Sequence, residues 1–325
     1  MFEGGVVAKE MDSNRFMYYV LAFGACIRGF AHMRKVIAID GTHLHGKYEG
    51  ELLRDVAQDT ENHVYPIAFC IVDKENDASW TFFFDKLKEI VVDKPDLCFI
   101  SDRHKSIANG IVNIYNYAHH GYCMRHLNES LHVNHHCGDS LYLYYNAARA
   151  YSLEEFNNHF VEFKNKFPAA IVVLEHDIGF EKWSRAHFPG NRYDERHAYI
   201  LKSMGNEMVP AAKKITRNKK IDGDFLYVEN VTGDDNQFTV FNAGVTANAN
   251  LLEKSCSWRE YDLIKIPCTH TMAALRLKHG NEYGMSIYEY YLPLYKVEAY
   301  LLAYMDSIMF SLSIRNGVCQ KNYLM

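Results

Sequence analysis

The chain has 325 residues, of which 48% are hydrophobic and 14% aromatic, and it carries a net charge of -5. That length and apolar content suit one large core or two smaller ones and exclude a disordered or low-complexity chain. The acidic balance excludes a protein that coats nucleic acid through bulk charge, so any contact with DNA has to be local.

Residues 36–40 (VIAID) read as a buried strand, because the run is short, continuous and β-branched. The Asp40-Gly41-Thr42-His43 that follows is polar and turn-prone, which places a carboxylate at the tip of that strand. Residues 52–59 and 63–73 are two more strands, joined as a hairpin through Thr60-Glu61-Asn62. Trp80, Phe83, Phe84, Leu87, Ile90 and Val91 then recur at steps of three and four. They predict an amphipathic helix with Asn76 or Asp77 as its cap. Lys94-Pro95-Asp96 breaks it, and 97–102 (LCFISD) is a second short apolar run ending in aspartate. A helical period resumes at 105–115, and 119–127 reads as another strand with its exit. From about 140 to 205 the pattern is mostly helical, and 222–252 alternates like strands. This order predicts a mixed α/β sheet with helical additions.

The eight cysteines are scattered rather than spaced as a framework, and the opening residues show no leader pattern. They read as free thiols or metal ligands in a reducing compartment. No apolar run approaches the roughly 20 residues needed to span a bilayer, so a soluble intracellular protein is expected.

Asp40 and Asp102 end two apolar strands at the same relative point. On neighbouring strands they can share Mg²⁺ or Mn²⁺, as acids do in phosphoryl-transfer sites. Equally, aspartate is common where strands end and turn. Pattern alone leaves both readings open.

The words around them carry a resemblance. AIDGTHLHGKYEGELL, YPIAFCIVDKENDASWTFFFDKL, LCFISDRHKSI, GYCMRHL and HFPGNRYD occur in an order that resembles the transposases of plant Mutator-like elements, from about Asn14 to Tyr304. The resemblance implies a ribonuclease H-like core over 34–205 with a DDE acid triad, DNA as partner and a nuclear location. It makes Asp40 the first acid, Asp102 the second, and Cys123 and His126 the C-x-x-H that follows; His43 and His126 help shape the site. In the family the third acid, a glutamate, lies on a segment after the FPG-x-RY word. Here FPGNRYD runs directly into ERHAYILKSM, so that segment is missing and Asp194 or Glu195 would have to substitute. Two carboxylates hold a hydrated cation weakly and do not place two metals for in-line displacement. The expected function is therefore a transposon-derived nuclear protein that binds metal and DNA with little or no strand-transfer chemistry. Its rivals are an active Mg²⁺-dependent transposase and a non-catalytic protein- or DNA-binding module; protein partners are not legible.

Residues 225–280 resemble the SWIM-type zinc finger found downstream in such transposases, whose pattern is C-x-C, a spacer, then C-x-H. Cys256, Cys268 and His270 match, but Trp258 stands in place of the second cysteine, and indole is not a zinc ligand. A zinc site weakened by one ligand and an idle remnant are the two readings, with His279 the nearest substitute. Lys213, Lys214, Arg217, Lys219 and Lys220 form a basic cluster, read either as phosphate contact or nuclear-import signal or as a solvated helix face.

Overall fold

The computed structural model describes residues 6–12, 15–45, 49–61, 63–190, 208–230, 233–242, 244–280, 283, 286–296 and 299–300. Asp194 and Glu195, the possible substitute acids, lie outside the described residues, as do both ends of the resemblance.

Two strands, β1 (Val6–Asp12) and β2 (Arg15–Ala22), and helix α1 (Gly24–Phe30) precede the first predicted strand. The core then follows as β3 (Val36–His43), β4 (Glu51–Gln58), β5 (Val64–Val72), α2 (Asp77–Lys88), β6 (Cys98–Ser101), α3 (Lys105–Ile114) and β7 (His119–Tyr122). These seven strands form one mixed sheet in the order β1-β2-β5-β4-β3-β6-β7. The β3, β6 and β7 strands are parallel, and the remaining pairs are antiparallel.

Residues Gly41–His43 do not turn: β3 continues through them, with Thr42 opposite Leu52 and His43 opposite Glu51. Pairing with β4 overrides their local turn preference, so Asp40 lies inside a strand rather than at its tip.

The apolar periods set the layers. Asn76 caps α2 in a reciprocal box, its Oδ1 accepting from the Ser79 N–H while the Ser79 Oγ accepts from the Asn76 N–H, both at 3.0 Å. The α2 stripe (Trp80, Phe83, Phe84, Leu87) packs with Ile37, Ile39, Leu53 and Phe99 against one face of the sheet. Gly110 lets α3 approach α2 closely, since a Cβ there would lie 2.6 Å from the Phe84 ring. Asp55 is buried on this apolar side, where the β4–β5 register shifts, and its Oδ1 accepts from the Ala68 N–H at 2.7 Å. Burial pushes its carboxyl up to about 8.

Helices α4 (Met124–His135), α5 (Leu141–Arg149), α6 (Leu153–Lys166), α7 (Pro168–Ile171) and α8 (Phe180–Trp183) enclose a second core around Tyr144, Phe156, Phe163 and Trp183. The predicted strand exit at 123–127 is already the first turn of α4.

After the second core come α9 (Pro210–Gly223), β8 (Tyr227–Glu229), β9 (Gln237–Asn242), β10 (Val245–Asn250), β11 (Ser255–Cys256), α10 (Glu260–Ile264) and α11 (Thr269–His279). The four strands form an antiparallel sheet in the order β11-β10-β9-β8. Its apolar core unites Phe238, Ala249, Met272 and Leu275 with Val209 and Ala212 before 225–280 and with Tyr283, Ile287 and Tyr295 after it. This unit meets the mixed sheet at the β4–β5 loop. There the buried Glu61 accepts the Ala211 N–H of the first turn of α9 at 3.0 Å, and the Arg34 guanidinium lies 5.8 Å from the Tyr295 ring centre.

Candidate functional site

The parallel pairing of β3 with β6 sets Val36 opposite Cys98 and Ala38 opposite Ile100, an offset of 62 residues (98 minus 36). Carrying that offset on by two residues sets Asp40 level with Asp102. Asp102 is the first residue beyond β6, and Asp40 lies within β3 two residues past its last pairing with β6, so both stand at the C-terminal edge of that parallel pairing, where open α/β sheets bind ligands. Because Ile37 and Ile39 enter the core beneath the sheet, strand alternation sends Asp40 to the other face. There it borders a cavity of about 420 Å³ with an apolar floor of Val36, Ala38, Val56 and Ile100.

Asp40 already has a partner. Arg54 stands directly opposite it in the β3–β4 register, and its Nη2 donates to Asp40 Oδ2 at 2.8 Å. The Asp102 Oδ1 accepts the His104 N–H at 2.9 Å, which orders the turn into α3. His126, in the first turn of α4, borders both the depression beside Asp40 and the one beside Asp102. Its Nδ1 is buried without a hydrogen-bond partner, and its Nε2 lies 3.0 Å from Arg125 Nη2. His43 is placed elsewhere: three residues beyond Asp40 it points to the opposite face, where its Nδ1 meets Glu51 Oε1 at 2.7 Å. Cys123 is buried with Cys98, Ile100 and Phe188, as packing at the start of α4.

Reading from sequence passed over two groups here. Arg54 became visible only through strand register. Glu75 lies against Gly41, where a Cβ would sit 3.2 Å from its carboxyl carbon. It accepts the Trp80 indole N–H at 3.0 Å and stands 3.6 Å from His104 Nδ1, so it ties the end of β3 to the loop after Asp102. Its place one residue before the helix cap Asn76 was the available signal.

In the C-terminal unit, Cys256, Cys268 and His270 form the one group of three or more possible ligands among the described residues whose donor atoms converge. All three atoms lie within 4.8 Å of one another and all three residues are buried. The intervening chain folds back through α10, which is flanked by Arg259 and Lys265 in the left-handed region (φ 65° and 55°). Cys268 sits at the N-cap of α11, where the helix end favours a thiolate. A hydrogen bond with Cys268, followed by burial, pushes the Cys256 thiol up. Burial would do the same to Cys268, but hydrogen bonds from Cys256, His270 and Thr271 outweigh it and pull that thiol down. His270 Nδ1 is buried and has no hydrogen-bond partner. Two sulfurs and an imidazole with an unspent nitrogen fit a soft, tetrahedral metal such as zinc. Trp258 lies beside them, its ring centre 5.5 Å from that of His270. His279 does not join them: nine residues on, about 13 Å along α11, its Nε2 meets the Tyr290 hydroxyl at 3.2 Å.

The basic cluster occupies α9, and two of its members face inward. The Lys219 Nζ pairs with the buried Glu260 carboxylate at 2.5 Å, and Lys220 lies 4.6 Å from the Tyr283 ring centre. Lys214 and Arg217 are exposed.

Residues 36–130 match the MULE transposase domain. No curated protein matches the chain. The transposase domain spans Asp40, Arg54, Glu75, Asp102, Cys123 and His126 and ends before the Cys256 group. The match covers β3 to β7, including the strands beside both aspartates, and leaves β1 and β2 of the same sheet outside it. No helix among the described residues is long and apolar enough to cross a membrane.

Proposed function

We propose that this is a transposon-derived nuclear protein that binds DNA and a divalent cation through Asp40 and Asp102, with little or no strand-transfer activity. The observation that carries the reading is the parallel β3–β6 register, which pairs Ala38 with Ile100 inside the matched domain; carried on by two residues, it supports Asp40 and Asp102 as neighbours. Counted from β3, the strand order is 3-2-1-4-5 with the second strand antiparallel. That order supports a ribonuclease H-like core. A hard cation such as Mg²⁺ or Mn²⁺ suits two carboxylate oxygens and would polarise a bound phosphate there.

The expectation of weak chemistry rests on the third acid. Among the described residues no third carboxylate converges with Asp40 and Asp102 as the Cys256 group converges. In the same reading the C-terminal unit is a SWIM-type finger in which Cys256, Cys268 and His270 hold zinc with one position left to water. It is a weaker site than one with four protein ligands, and its metal would add folding free energy to the unit.

The test is an assay of the full chain on duplex DNA bearing element ends, with Mg²⁺ or Mn²⁺. No nicking or joining is expected. Cleavage that disappears in Asp40→Asn would establish the active-transposase reading and direct the search for a third acid to Asp194 and Glu195.

A further inference from the structure

Resting on the reading of Asp40 and Asp102 as a cation site, we propose that Arg54 is a two-position residue. It is the counter-ion of Asp40 when no nucleic acid is bound, and a contact to a DNA phosphate once the divalent cation occupies the aspartates.

The geometry fixes the first position. Asp40 and Arg54 are directly opposed residues on adjacent antiparallel strands and point to one face, with Nη2 and Oδ2 at 2.8 Å. A guanidinium there donates to the oxygen that a metal would take and places a positive charge beside the incoming cation. The two cannot hold Asp40 Oδ2 together without strong repulsion.

The second position follows from exposure and surroundings. The Arg54 side chain is 46% exposed and that of Asp40 29%, so the pair is a wet one that exchanges at little cost. Arg54 borders the same cavity as Arg125 and His126, both on the first turn of α4. A phosphate entering between Arg54 and Arg125 would find two guanidiniums, the side chain best shaped to fork onto phosphate oxygens. Moving Arg54 to that phosphate frees Asp40 for the metal at the moment when the substrate's own charge is present to share it. Binding of DNA and binding of metal would thus reinforce one another, and by linkage each would tighten the other by the same factor.

The experiment uses the full chain, a short mixed-sequence DNA duplex and Mn²⁺, with free Mn²⁺ followed by its electron paramagnetic resonance signal. Arg54→Gln is expected to bind Mn²⁺ roughly tenfold more tightly than the native chain without DNA, while Arg125→Gln, which leaves the Asp40 pair intact, changes little. Adding duplex should tighten Mn²⁺ binding in the native chain and leave Arg54→Gln nearly unchanged. Equal Mn²⁺ affinities in native and Arg54→Gln, with binding lost in Asp40→Asn, would overturn the role of Arg54 while leaving the cation site standing. If no Mn²⁺ binding depends on Asp40, the underlying reading fails, and this inference fails with it.

Discussion

Trp258→Cys supplies the missing ligand of the C-terminal cluster, and the structure predicts opposite effects on stability with and without zinc. Beyond β11 the chain turns, with the Arg259 N–H donating to the Cys256 carbonyl at 2.7 Å, and Trp258 in that turn lies beside the cluster, its ring centre 5.5 Å from that of His270. Trp258 is partly buried and packs on Cys256, Tyr261 and Cys268. Truncating a fully buried ring costs about 3–5 kcal/mol, so truncating this one should cost about 2 kcal/mol in metal-free protein. A fourth thiolate closes the tetrahedral shell. Support groups around a metal alone are worth 10–100-fold in affinity, so a direct ligand should tighten zinc by about 100-fold or more, about 2.7 kcal/mol. At saturating zinc that gain passes into stability and reverses the order of the two proteins. Zinc affinity measured against a competing chelator, together with urea unfolding of both proteins with and without zinc, checks each half. A variant that loses stability without zinc and gains no affinity would refute the placement of residue 258 at the cluster. Zinc binding absent from both proteins would refute the cluster as a metal site.

Three further outcomes follow from the packing. Asp55→Asn should change how stability depends on pH. The folded carboxyl is raised to about 8 from an ordinary 3.8, so the native state holds a proton that the unfolded chain releases. The native chain should therefore lose up to about 1.4 kcal/mol per pH unit as pH rises between roughly 4 and 8, and the asparagine variant should lack this slope in denaturant melts across that range. Gly110→Ala should destabilise by about 1–3 kcal/mol despite alanine's better helix propensity, because its Cβ meets the Phe84 ring; a neutral result in urea unfolding would mean that α2 and α3 separate freely. Glu260→Gln should loosen the C-terminal unit by removing the partner of the half-buried Lys219, and hydrogen exchange in α9 should rise accordingly.

How much of this was legible without coordinates differs by element. The strands at 36–40 and 97–102 and the helix capped by Asn76 were readable because each depends on local signals: β-branched runs, a stripe at steps of three and four, and a cap. Gly41–His43 was misread as a turn because the force extending β3 is pairing with Glu51–Leu53, a contact across a hairpin. The strands before Gly24 went unpredicted: VVAKEMD lacks clean alternation, and the continuous apolar run Phe16–Ala22 in RFMYYVLA was a usable strand signal that was passed over. Asp40 and Asp102 were found as a pair because both end apolar runs, whereas Arg54 is one polar residue in a strand until register sets it opposite Asp40. Lys219 read as one of five alike cations, and only the burial of Glu260 beside it sets it apart.

The seam at the β4–β5 loop also decides how this protein can be handled. Glu61 is 6% exposed and spends its carboxylate on the first turn of α9, Tyr295 is buried beneath Arg34, and Arg259 reaches back to the Ala186 carbonyl at 2.5 Å. A recombinant fragment ending near residue 190 would leave Glu61 facing water where it met a helix end, and would strip the cover from Arg34. Its complement would keep Val209, Ala212 and Tyr295 in their own core but lose the Glu61 carboxylate from the first turn of α9 and the Ala186 carbonyl from Arg259. Each piece would present polar groups that have lost their partners at the seam, which costs stability where those groups stay out of water. Dissection into separate domains therefore breaks these contacts, and the two candidate metal sites are best studied on one polypeptide.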